Sequence, residues 1–198
     1  SPELPMSTRE LTPYALVALV GLLVACAPSP ESTPTAVDVV TAHASHASVP
    51  NGELTAQQKQ AIAELRNATV KFHDFAYATS ANGGGYTNQY PAGCAASATG
   101  AQGGHYLNPS LVDDKVELLK PELLMYEPGP TGQMNLVGED NVVPLNLSPT
   151  APTLLGVNLS ALGAPLNVWA VHIWAWRPNP LGAFAQWNPK VSCADYTP

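Results

Sequence analysis

The chain has 198 residues, a formal net charge of −7 and only eight Lys or Arg, scattered along its length. That balance excludes a nucleic-acid binder, which needs a basic patch to neutralise phosphates. Twenty prolines and fifteen glycines argue against a mainly helical protein, and the length suits one domain with appendages.

Met6 and Arg9 stand where a start and a positive charge are expected, and residues 1–5 ahead of them read as a scar or a mis-assigned start. Residues 14–24, YALVALVGLLV, form an unbroken apolar run. A membrane-spanning helix needs roughly 20 such residues, so this run has the length of a signal-peptide core. Leu23, Val24, Ala25 and Cys26 follow and resemble the bacterial lipobox. The resemblance implies cleavage before Cys26, with acyl chains attached to its thiol as a membrane anchor at about 0.8 kcal/mol per buried methylene. It predicts a bacterial envelope protein facing the periplasm or the cell exterior. Ala27 in place of Asp would favour the outer membrane of a Gram-negative cell. The competing reading is an ordinary secretory signal cut at Ala25 or Ala27, with Cys26 left free.

Residues 26–53 are rich in Ala, Pro, Ser and Thr, cannot bury a core, and read as a disordered tether that carries His43 and His46. A single globular domain is expected over 54–198. Thr55 and Gln58 fit a capping box, and Ile62, Leu65, Thr69, Phe72 and Ala76 recur at helical spacing, predicting a helix over 56–79 that ends at the 82–85 glycine run. His73 would sit at the edge of its apolar face. The stretch around Cys94 reads as loop, 105–107 as a short strand, and 122–127 with 133–143 as a hairpin bulged at Gly138. Residues 144–166 read as a long loop. Residues 168–176 alternate Val, Ala, His and Trp with apolar side chains on both faces, predicting a central strand that carries His172. The fold class is then α+β: one amphipathic helix on a small antiparallel sheet, loop-rich, with one disulfide. Cys94 and Cys193 are the pair left in an exported chain, which favours a bridge over two buried thiols.

The stretches GGHYLNP, PELLMYEPGPTG and VWAVHIWAWRPNPLGAFAQWNPKVSC resemble an uncharacterised family of small exported bacterial proteins. The likeness covers about residues 56–193, departs in lacking a Met between the glycines and His105, and implies an exported domain without implying an activity.

Chemistry could reside in three histidines, His73, His105 and His172. If the helix covers two paired strands they would converge, and with Glu127 or Glu139 they would suit Zn²⁺ or Cu²⁺. No local metal motif supports this, and each histidine taken alone is more readily a satisfied core group than a ligand. Glu127 and Glu139 could instead be a glycosidase-like pair or simply solvated. No G-x-S-x-G elbow and no phosphate loop is present. Trp169, Trp174, Trp176 and Trp187 could line a ligand groove, though alternation on a strand favours core. The expected function is a lipid-anchored, non-catalytic domain binding a metal, a small molecule or an envelope partner. A metal-dependent enzyme using His105 and His172 and a purely structural component are the alternatives.

Overall fold

The chain enters the fold through a reciprocal cap. Thr55 Oγ1 accepts from the Gln58 amide at 3.1 Å, and Gln58 Oε1 accepts from the Thr55 amide at 3.0 Å. These bonds satisfy donors that a helix start leaves unpaired, and helix α1 runs over Ala56–Thr69. The expected single helix to 79 does not form. Its path tightens into a 3₁₀ turn at Val70–His73, and Asp74, in extended conformation, caps a separate helix α2, Phe75–Thr79, by accepting from the Tyr77 amide. A 3₁₀ turn holds three residues rather than 3.6, so the buried position moves from Ala76 to Ala78 and His73 becomes exposed.

This computed structural model describes residues 53–197, all within one unit of the chain. The signal-like segment, Cys26, His43 and His46 lie outside the described residues.

Strands β1 (Asn88–Ser97), β2 (Gly100–Leu107), β3 (Leu123–Pro128), β4 (Met134–Pro144), β5 (Thr153–Leu154), β6 (Val157–Asn158), β7 (Ser160–Leu162) and β8 (Val168–Ile173) follow. Six of them make an antiparallel sheet in the order β1-β2-β3-β4-β8-β7, and β5 and β6 form a separate small hairpin. Thus α+β holds, with the sheet dominant. The hairpin expected at 122–143 is β3–β4, and its bulge lies beside the expected Gly138. Met125 pairs with Gly138 and Tyr126 with Leu136, leaving Val137 as the extra residue. One expectation fails: the loops around Cys94 and at 144–166 contain β1, β5, β6 and β7, whereas the His172 strand is interior as expected, paired with β4 on one side and the three-residue edge strand β7 on the other.

Side chains alternate across the sheet. Leu124, Tyr126, Val171 and Ile173 face one side, where Ile62, Leu65 and Phe72 from the helical segment cover them. Leu123, Val142 and Ala170 face the other side and meet Leu162. The C-terminal segment returns beside β2 through a two-bond bridge between Ala101 and Asn188 and then joins Cys193 to Cys94. The disulfide expected from compartment and parity is therefore present.

Candidate metal centre

The glycines before His105 answer to a strand contact. Gly103 has φ +87°, and a Cβ there would lie 2.4 Å from the Tyr126 carbonyl oxygen. Only glycine lets β2 run this close to β3 at that point. Two residues later, His105 stands opposite Met125. On β4 and β8, Asp140 and His172 are direct cross-strand partners.

These three residues, all buried, bring one ligand atom each to within 4.8 Å of one another. His105 Nε2 lies 3.4 Å from His172 Nε2, and His172 Nε2 lies 3.5 Å from Asp140 Oδ2. Strands β2 and β8 are three spacings apart, about 14 Å in a flat sheet. Imidazoles meeting at 3.4 Å require the sheet to curl toward this face. Gly138 helps: a Cβ there would meet Met125 Cε at 2.8 Å and the Ile173 carbonyl at 2.6 Å.

The spacing has chemical content. A separation of 3.4 Å is longer than a good nitrogen hydrogen bond. Tetrahedral bonds of roughly 2.0–2.1 Å place neighbouring ligand atoms about 3.3–3.4 Å apart, close to what these atoms show. His172 Nδ1 contacts the Gln186 carbonyl at 3.2 Å. A carbonyl only accepts, so Nδ1 carries a proton and, in the neutral ring, Nε2 turns its lone pair toward His105 and Asp140. Orientation of a ligating histidine by a carbonyl behind it is how protein metal sites hold their ligands. The same carbonyl also accepts from Gln102 Nε2 at 3.2 Å, which fixes the C-terminal segment at the site.

The expected constellation needs three corrections. His73 is not part of it: its ring packs edge-on against Trp176, 4.3 Å between centroids, on the exposed end of the 3₁₀ turn. The strands of His105 and His172 do not pair, because β3 and β4 separate them, and the helix covers the opposite face. Neither Glu127 nor Glu139 supplies the carboxylate. Glu127 is ion-paired with Arg177 and accepts from the Ser192 amide at 2.9 Å. Glu139 turns to the helical face, where Thr69 Oγ1 donates to it at 2.7 Å and Trp176 Nε1 at 3.0 Å. Burial pushes the Glu139 carboxyl up to about 8, against the lowering effect of those two donors. Glu127 and Glu139 are thus apart and not a glycosidase-like pair. Asp140, the residue sequence reasoning missed, is one position from Glu139 and on the other face. The available signal was two consecutive acids inside a strand, of which strand alternation can send only one to the His172 side.

His105 and Asp140 also line a cavity of about 200 Å³, and do so through their carbon atoms, because its surface is apolar almost throughout. The rest of its wall is apolar and includes Leu107, Leu123, Val142, Leu162, Leu166 and Val168. The tryptophans do not line it. Trp174 is buried in the core with Met125, Val137 and Val191, as the core alternative held.

Comparisons with protein-family models, curated proteins and solved structures found no match, so the geometry alone carries any functional reading.

Proposed function

We propose that this domain binds one divalent transition-metal ion through His105, Asp140 and His172. The carrying observation is the convergence, out of solvent, of two imidazole nitrogens and a carboxylate oxygen within 4.8 Å of one another, with the two separations at His172 Nε2, 3.4 and 3.5 Å, close to those of tetrahedral coordination. Two nitrogens and one oxygen suit Zn²⁺ or Cu²⁺, and the same set serves Fe²⁺. The protein is read as a lipid-anchored component of a bacterial envelope, held through Cys26 by the tether to 53, with the signal-like run at 14–24 and the Cys94–Cys193 bridge in support.

A binding or accessory role is favoured over catalysis by the cavity wall. Beyond His105 and Asp140 its one polar side chain is Tyr90, whose hydroxyl donates to the Pro165 carbonyl at 3.3 Å. A metal hydrolase needs a general base or a proton donor beside the metal-bound water. The enzyme reading rests on the other side of the same geometry: three protein ligands leave a coordination position for a reactant.

Metal content of the full chain, purified from an oxidising compartment and measured by plasma mass spectrometry, tests the proposal. About one equivalent is expected, retained by Glu127→Gln and lost from Asp140→Asn and the His105→Ala/His172→Ala double variant while circular dichroism is unchanged. A parent that takes up no metal after incubation with Zn²⁺, Cu²⁺ and Fe²⁺ overturns it.

A further inference from the structure

We infer that the apolar cavity is a second binding site, one for a free, uncharged alkyl compound of about seven or eight heavy atoms. It stands apart from the metal reading, because the donor atoms of the triad do not open onto it. The helical segment packs on the other face of the sheet. On this face Leu123 and Val142 meet Leu162 from the edge strand, with Leu166 and Val168 beside them. A sheet face needs a second layer to fill the space over it. The curl that brings His105 to His172 makes this face concave, and the short segments over it leave a cavity of about 200 Å³. Protein interiors leave few voids larger than a water molecule, so a space of this size is out of keeping with a packed core. It also has a closed end and a mouth. Leu123, Val142 and Leu162 are buried and form the floor, whereas Val112 and Leu166 are half-buried and Tyr90 is exposed. Between Gln89 and Cys94 strand β1 leaves its ladder with β2. Tyr90 in that excursion donates from its hydroxyl to the Pro165 carbonyl at 3.3 Å, next to Leu166. That strap and the loop carrying Val112 frame the mouth.

The wall selects the ligand. His105 and Asp140 show it little but carbon, and the Tyr90 hydroxyl is taken by Pro165. A charged or hydrogen-bonding group on the floor would give up its water and gain no partner. Water is a poor occupant for the same reason, since a buried water needs about two to four polar partners. An alkyl chain gives up nothing and gains contact with leucine and valine side chains. The volume sets its size. An apolar cavity of about 150 Å³ takes benzene, with six heavy atoms, so about 200 Å³ takes seven or eight. A bilayer lipid's chain fills half of a core about 30 Å thick and outgrows this space, so the occupant is a free compound.

Titration of the methyl-labelled full chain, followed by nuclear magnetic resonance with chelator present, tests this. The probes are propanol, butanol, hexanol, decanol and 1,6-hexanediol. Affinity should rise about fourfold per methylene, about sixtyfold from propanol to hexanol, and flatten by decanol. The diol should bind about tenfold more weakly than hexanol, because its far hydroxyl would be buried on the floor without a partner. The methyls of Leu123, Val142 and Leu162 should shift, while those of Leu65 and Ile173, on the other face, stay in place. Val112→Trp should block the mouth and abolish both the shifts and the chain-length dependence with circular dichroism unchanged; Leu166→Trp on the opposite rim checks this by a second route. Equal affinity for propanol and hexanol, or for hexanol and the diol, overturns the site. So does binding that appears only after Zn²⁺ is added, which would make the ion part of the recognition.

Discussion

Glu122 is 2 % exposed, and its carboxylate Oε2 accepts from the Val142 amide at 2.9 Å. Burial outweighs that bond and pushes its carboxyl from 4.5 up to about 8. Between those values the folded chain keeps a proton that the unfolded chain has released. The contribution of this carboxyl to stability is therefore full below about pH 4.5, falls by about 1.4 kcal/mol per pH unit above it, and levels off above about 8. Across the whole window this amounts to roughly 4–5 kcal/mol for a single carboxyl, a large share of the 5–15 kcal/mol that holds a domain together. Glu139, also raised to about 8, adds a second slope of the same sign. Replacing Glu122 with Gln keeps an acceptor for the Val142 amide and removes the ionisation. Urea unfolding of the oxidised protein with chelator present, at pH 5, 6, 7 and 8, measures the effect. Glu122→Gln should lose about half of the parent's decline and be the more stable protein at pH 8. An unchanged slope in the variant would show that Glu122 ionises in the folded state much as it does in the unfolded chain, and would refute the reasoning.

Removing the Cys94–Cys193 bridge by Cys94→Ser/Cys193→Ser should cost about 3–5 kcal/mol, since the cross-link spans a separation of 99 residues; the shift in denaturant midpoint reads it directly. Leu65→Ala, in the cluster with Val171 and Ile173, should destabilise by about 2–5 kcal/mol in urea while metal content stays at parent level, because that cluster lies on the face away from His172. Gly103→Ala should cost at least 1–3 kcal/mol by thermal unfolding, because its φ of +87° disfavours a side chain and its Cβ would strike the Tyr126 carbonyl. It should also weaken Zn²⁺ binding in a chelator competition, by displacing the strand that carries His105. Equal Zn²⁺ affinity in Gly103→Ala and parent would separate that backbone contact from the metal centre.

Local chemistry was legible in the sequence. Thr55 and Gln58 announce a capping box because both partners lie within four residues, and Ile62 and Leu65 report a buried helix face for the same reason. The hairpin β3–β4 and the Gly138 bulge were readable from alternation around the 128–132 turn. The helix break was written less plainly. Asp74 is a good cap as well as a tolerable helix residue, and the choice between them was made by Phe72 and Ala78 packing beside Tyr86. Strands β1 and β2 were mostly invisible because their residues are small or polar and show no apolar alternation, so their pairing depends on neighbours far away in the chain.

By itself the sequence determined two of the three residues that could bind a metal, His105 and His172, together with the α+β composition, the Cys94–Cys193 pairing and the helix start. Tertiary structure alone decided which of the candidates meet. His105 and His172 come together across two intervening strands only because the sheet curls toward them, and His73 is excluded because the helical segment covers the other face. Asp140 replaces Glu139 through strand alternation together with register. Neighbours in sequence face opposite ways, and only the pairing of Asp140 with His172 shows which of the two carboxylates shares the imidazole's side.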